Sequence, residues 1–257
     1  MHSVRRLGIL GGMSWVSSLK YYETINLEIL RLAEGTRTGD LVLWSFDTTR
    51  IEPLIAAEDW RAIARHLQDA IDRLMSCKVE GIIIASNTIH RVLEQNHLRL
   101  PVPFIDIRDS LLNELSRQSI TRVGFVGTSA TMNGDIYRHL FDGSIGVDVV
   151  LPPQNLWAEI DDMIFNGLCR GLRRDDDQKL ARRGMRWFKQ QGVSHVVLGC
   201  TELSRLRIET TGITLLDTSE IHARDAARWS VGSAEVKLRN VAERWGREPP
   251  PATLRLS

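Results

Sequence analysis

Arg6-Leu-Gly-Ile-Leu-Gly-Gly-Met13 returns, 116 positions later from Gly8 to Gly124, as Arg122-Val-Gly-Phe-Val-Gly-Thr-Ser129. Each stretch is a short apolar run that ends on glycine and small polar residues. A second pair follows in the same order. Gly81-Ile-Ile-Ile-Ala-Ser-Asn-Thr88 matches His195-Val-Val-Leu-Gly-Cys-Thr201, with Ser86 and Cys200 in register 114 apart. Phe104-Ile-Asp106 matches Leu215-Leu-Asp217 in the same way, 111 apart. Three motifs at nearly one offset imply two similar four-stranded halves. The polar residues after the strands match as well as the apolar ones, which chance likeness between strands would not produce.

The remaining chain fits that scheme. Strands are expected at Leu7–Leu10, Leu41–Phe46, Gly81–Ala85, Phe104–Ile107, Val123–Val126, Val147–Leu151, His195–Leu198 and Ile213–Leu216. They are nearly continuous in Ile, Val and Leu, as strands covered on both faces are. Helix-length stretches lie between them. Leu19, Tyr22, Leu27 and Leu30 recur at helical spacing in 18–34, and Ile63, Leu67, Ile71 and Leu74 do so in 59–76. Alternating strands and helices imply an α/β fold with parallel sheets. The expected division is 1–112 with 211–232 as the first half and 113–210 as the second. The segment 233–257, which holds Pro249-Pro-Pro251, is expected to be a C-terminal appendage.

Composition excludes several classes. The chain has 257 residues, enough for one large α/β domain or two smaller ones. Lys+Arg of 33 against Asp+Glu of 32 lacks the basic excess of a nucleic-acid or membrane-surface protein. No apolar run nears the roughly 18–20 residues of a membrane span. The apolar run after Arg6 is too short for a signal peptide, so the expected location is the cytoplasm. Three cysteines without a C-x-x-C pair argue against a disulfide scaffold and a zinc ribbon. G-x-G-x-x-G, Walker A and H-E-x-x-H patterns are absent, so neither a cofactor nor a metal is expected.

Ligands of open α/β sheets bind beyond the carboxyl ends of the strands. Two facing halves would bring Ser86 and Cys200 to one ligand from opposite sides. Cys200 follows Gly199 at a strand end, where exposed N–H groups and a helix dipole are expected to lower its pKa. Cys77 and Cys169 lack such a setting and read as packing residues. Ser86 reads equally as a helix cap. Asn87, Thr88 and Thr201 offer donors for a carboxylate beside backbone N–H groups, or are ordinary turn polarity. His90 shares a helical face with Ser86 and reads as a core or surface histidine. The run Asp175–Asp177 is expected to be solvated surface.

Gly11-Gly-Met-Ser-Trp15, Tyr21-Tyr22, Ile25-Asn26, Ser86-Asn-Thr-Ile-His90, Gly199-Cys-Thr-Glu-Leu203 and Asp217-Thr-Ser-Glu-Ile-His222 together resemble the aspartate/glutamate racemase family over roughly residues 5–231. The resemblance implies two Rossmann-like halves about a pseudo-twofold axis, with the active site in the cleft between them. It implies a homodimer and cofactor-independent racemisation of a small amino acid by a cysteine from each half. Here the first cysteine position holds Ser86, the second holds Cys200, and Val16 stands where glutamate is common. A natural variant of the pair and a replaced cysteine are both consistent with Ser86. A serine hydroxyl is a poor proton abstractor, so activity is expected to be enantiomer-selective or impaired. The resemblance further implies that Asn87, Thr88 and Thr201 hold the α-carboxylate and that Met13 and Ser14 line the pocket. Thr128, Ser129 and Thr131 would receive the side chain, Arg50 would pair with a side-chain carboxylate, and Glu202 would assist Cys200. A ligand-binding homologue without activity and a related isomerase acting on maleate are the competing readings.

Overall fold

The computed structural model describes residues 4–35, 37–95, 98–133, 136–137, 146–206, 208 and 212–233. Apart from Ser233, the expected appendage lies outside them. The first sheet is built from β1 (Leu7–Gly11), β2 (Leu41–Ser45) and β3 (Gly81–Ile84), in the order β2-β1-β3 and all parallel. Every residue of β1 is buried, because a central parallel strand is covered on both faces. Between these strands run α1 (Trp15–Leu32), α2 (Thr48–Ala56) and α3 (Trp60–Ser76), and after β3 comes the short α4 (Val92–Gln95).

α5 (Ile107–Arg117) leads into the second sheet, which contains β4 (Arg122–Val126), β5 (Asp148–Val150), β6 (His195–Leu198) and β7 (Thr214–Asp217). The order is β5-β4-β6-β7, again parallel. Its helices are α6 (Ser129–Met132), α7 (Trp157–Asp162), α8 (Asp175–Gln190) and, closing the described chain, α9 (Thr218–Ser230). Among the described residues, no helix is long and apolar enough to cross a membrane.

The repeat in the sequence is a repeat in topology. β1 lies between β2 and β3 as β4 lies between β5 and β6. Beside β3, Phe104 forms a single parallel bridge to Ile82, where β7 lies beside β6 in the second half. The expected strand Phe104–Ile107 shrinks to that bridge because Asp106 caps α5 by accepting from the Arg108 N–H at 2.8 Å. Asp217 caps α9 in the same manner, through the Ser219 N–H at 2.9 Å.

Two expectations about placement are corrected. The strand at Thr214–Asp217, assigned to the first half, hydrogen-bonds to β6 and belongs to the second sheet. Only α9 crosses back, packing on α1 and α5 and placing Ala223, Ala226, Ala227 and Trp229 in one core with Leu7, Ile9, Tyr21, Ile25 and Ile29. On α1 the expected apolar stripe faces outward: Leu19, Tyr22 and Leu27 are 55%, 51% and 59% exposed. Apolar residues surround this helix. Its buried face is chosen by Tyr21, Ile25 and Ile29, and by Ser17 and Ser18, whose hydroxyls find partners inside. The stripe on α3 is buried as its spacing predicts.

Candidate active site

The loops after β3 and β6 emerge at the carboxyl ends of their sheets. Ala85 N–H donates to Leu10 O at 2.8 Å and Gly199 N–H to Val126 O at 2.7 Å, so each loop starts from a fixed strand end. Gly199 has to be glycine, since a Cβ there would lie 2.3 Å from the Phe125 ring. Gly12 is likewise required: its φ is +84°, and a Cβ would meet the Phe46 backbone at 2.2 Å.

One hydroxyl ties the two loops together. Asn87 Nδ2 donates to Thr218 Oγ1 at 3.1 Å, and Thr218 Oγ1 donates to Leu198 O at 2.9 Å. Tyr137 OH donates to Asn87 Oδ1 at 2.5 Å. The buried side chain of Asn87 is therefore spent on joining the halves. His90 supports the same loop. Its ring is fully buried, with Nδ1 2.6 Å from Ser86 O, and desolvation lowers its pKa to about 3. His222 is held between Tyr21 OH at 2.8 Å and Ile105 O at 2.9 Å.

Cys200 sits half-buried before a single 3₁₀ turn, Thr201–Arg205. Its thiol donates to Glu202 Oε2 at 3.4 Å. The expected lowering of its pKa is reversed. Burial pushes the thiol well above its usual value, and the Glu202 charge adds to this. A five-residue turn has too little aligned backbone to offset either effect. Glu202 also accepts from Thr201 Oγ1 at 2.5 Å and from Ser17 Oγ at 2.9 Å. Lys20, one turn further along α1, reaches Ser204 at 2.8 Å and pairs with Asp217. Helix α1 of the first half is thus seated on the Cys200 loop of the second.

The other candidates lie on several elements. Ser14 caps α1, accepting weakly from Ser17 N–H at 3.4 Å, and Met13 packs against the core beside α3. Ser86 and Thr88 are half-buried at the end of β3 and the turn that follows. Thr128 Oγ1 is 2.9 Å from Thr131 Oγ1, and the Ser129 N–H already donates to Asp161 Oδ1 at 2.8 Å. Arg50 is exposed on the first turn of α2. Cys77 is exposed rather than packed, because it caps the end of α3. Cys169 packs on the second core, where burial raises its pKa to about 12. Asp177 is buried against Arg174, not solvated, because it completes the start of α8.

Thr218, Tyr137, Asp161 and Ser17 were not singled out from the sequence. The pairs Asn87–Thr218 and Ser17–Thr201 span 131 and 184 residues, so no local pattern marked them. Among the described residues, no group of three or more His, Cys, Asp or Glu side chains is placed to hold a metal ion.

Comparison with known proteins bears on the family and the fold. A family model described as Asp/Glu/hydantoin racemase matches residues 10–226. A glutamate racemase from Parafrankia sp. (strain EAN1pec) is 25% identical over 215 residues, covering 79% of this chain and 73% of that protein. A provisional Asp/Glu racemase from Yersinia pestis superposes with a TM-score of 0.79 at 30% identity, over 88% of this chain and 99% of that one. An aspartate racemase homologue from Pyrococcus horikoshii OT3 gives 0.73 at 27% identity, with the same coverage.

Proposed function

Since the chain belongs to the Asp/Glu/hydantoin racemase family, we propose that it racemises aspartate, glutamate or a related amino acid by α-proton transfer at an asymmetric Ser86/Cys200 pair. The observation that carries this reading is the equivalence of the two loops. Both leave the carboxyl end of a third strand in a repeated half, and Asn87, Thr218 and Leu198 tie them together.

Cys200 is the proton abstractor, with Glu202 as the acceptor beside its thiol. Backbone N–H groups at the turns Thr88–Arg91 and Thr201–Arg205, with the Thr88 hydroxyl, hold the α-carboxylate. Arg50, exposed beyond β2, meets a side-chain carboxylate. Ser86 relays or donates a proton on the opposite face but does not abstract one, because its hydroxyl has no dedicated base. Exchange at Cα is consequently biased toward the enantiomer whose Cα–H faces Cys200, and full racemisation is slow. Three free thiols suit a reducing cytoplasm. The outward strip of Trp15, Leu19, Tyr22 and Leu27 on α1 suits a homodimer.

Solvent deuterium exchange at Cα, followed for each enantiomer of a panel that includes aspartate, glutamate and neutral amino acids, tests the reading. Exchange into one enantiomer well ahead of the other supports it. Binding without exchange in either enantiomer sinks it in favour of a ligand-binding homologue, and isomerisation of maleate would reassign the reaction.

A further inference from the structure

Ser17, Thr201 and the Glu202 carboxylate form a closed triangle between the halves. Ser17 Oγ lies 2.6 Å from Thr201 Oγ1 and 2.9 Å from Glu202 Oε1, and Thr201 Oγ1 lies 2.5 Å from Glu202 Oε2. All three side chains are buried, which excludes bulk water as an easy substitute partner. Each of the three oxygen–oxygen edges needs one proton, and two hydroxyls bring only two. With Glu202 ionised, one edge holds lone pairs facing one another at hydrogen-bond distance. A third proton removes that defect. Cys200 Sγ lies 3.4 Å from Oε2, the same oxygen that meets Thr201.

We propose that the Ser17–Thr201–Glu202 triangle stores one proton for Cys200, with Ser17 as a positioning residue supplied by the opposite half. The S–H bond breaks, the proton bonds to Glu202 Oε2, and the electron pair stays on Sγ. Oε2–H then donates to Thr201 Oγ1, the Thr201 hydroxyl turns to Ser17 Oγ, and the Ser17 hydroxyl turns to Oε1. Every edge carries one proton. The thiolate left behind accepts from the Glu202 backbone N–H and is ready to take an α-proton. When the thiol instead delivers its proton to a carbanion, Oε2 returns the stored one to Sγ and the hydroxyls swing back.

The charges around the triangle leave this role to the hydroxyls. Arg205, on the same turn, donates to Leu168 O, and Lys20 on α1 is engaged by Asp217 and Ser204. Cys169, on the neighbouring turn, feels both Glu202 and Glu52. Among the described residues, no cation is hydrogen-bonded to Glu202. Because Ser17 belongs to α1, the store is complete only while α1 is seated on the Cys200 loop.

The use made of the stored proton rests on the racemase reading, but the store itself is testable without turnover. Iodoacetamide alkylation of Cys200 in the full chain, read by peptide mass spectrometry at neutral pH, reports its thiolate, and exposed Cys77 serves as the internal reference. Ser17→Ala and Thr201→Val each break the ring and should slow Cys200 alkylation roughly three- to tenfold, the size of about one net hydrogen bond. Ser17→Thr keeps the hydroxyl and should restore the rate. A purely structural role predicts the opposite sign, since a loosened loop exposes the thiol and speeds alkylation. Unchanged or faster alkylation in Ser17→Ala or Thr201→Val overturns the proposal, as does Ser17→Thr reacting as slowly as Ser17→Ala. Lack of α-proton exchange in the unmodified protein would instead count against the racemase reading, with the alkylation result still deciding the store.

Discussion

The Asn87 amide donates to the Thr218 hydroxyl across 131 residues of chain, and that hydroxyl donates in turn to Leu198 O, two residues before Cys200. Thr218 is fully buried at the start of α9, the helix that leaves the second sheet to pack on the first. One side chain therefore links the loops that carry Ser86 and Cys200. Thr218→Val keeps the shape and leaves a buried amide and a buried carbonyl each without a partner. The expected loss is about 2–4 kcal/mol, measured as a lower urea midpoint, with Thr218→Ser close to the unmodified protein. An unchanged midpoint in Thr218→Val would show that the link contributes nothing.

The repeat made the fold legible, because strands buried on both faces announce themselves as apolar runs and keep their order when duplicated. Phe104–Ile107 misled for a local reason: the Asp106 cap ends the strand after one bridge. The outward stripe of α1 misled because apolar residues surround that helix, and only tertiary partners choose its buried face. At the site, Cys200 and Glu202 were visible as neighbours in sequence. Thr218 and Ser17 were not, since their partners lie 131 and 184 residues away and no local pattern encodes such a pairing.

Two buried histidines make stability depend on pH. Desolvation is the main cause that lowers His90 to about 3 and His222 to about 4, from an ordinary 6.5. Between those values the unfolded chain binds more protons than the folded one. Their contribution is therefore complete above pH 6.5 and is lost as pH falls toward 4. Each histidine should remove up to about 1.4 kcal/mol per pH unit. Thermal melts between pH 7 and pH 5, above the range where most carboxylates titrate, should show a falling Tm, with a shallower slope in His222→Gln. A flat profile over that span contradicts the assignment.

The exposed strip on α1 gives the homodimer reading a specific face. Leu19→Glu places a charge in its middle without touching the buried face of the helix. Light scattering should show a dimer in the unmodified protein and a monomer in the variant. A variant of unchanged dimeric mass would move the interface elsewhere.

Ser86→Cys should raise racemisation in both directions together, by roughly two orders of magnitude or more, the scale of a gained general acid–base group, because enantiomers of equal free energy share one kcat/KM. The Ser86 side chain is half-buried and the substitution adds little volume, so folding should be unaffected. Racemisation followed from each enantiomer by circular dichroism measures both directions. Racemisation in the unmodified protein already as fast as in Ser86→Cys would remove the impairment that Ser86 is held to cause.

Cys200→Ser isolates the abstracting group itself. The variant keeps a hydroxyl at the start of the Thr201–Arg205 turn and leaves the Ser17–Thr201–Glu202 contacts in place. Ligand binding should persist, because the carboxylate donors are backbone N–H groups and the Thr88 hydroxyl. What disappears is the one soft acid beside Glu202: a serine hydroxyl is too weakly acidic to give its proton to a carboxylate. Deuterium exchange at Cα should fall about two to four orders of magnitude in both enantiomers, while calorimetric affinity for the same amino acid changes little. Exchange that survives the substitution would put the base elsewhere. His90 is a poor substitute, because burial lowers its pKa to about 3 and so opposes its taking up a proton, and its ring is sealed from solvent behind Ser86 O. Surviving exchange would therefore point first to Glu202 acting directly, and a double variant adding Glu202→Gln would then abolish it.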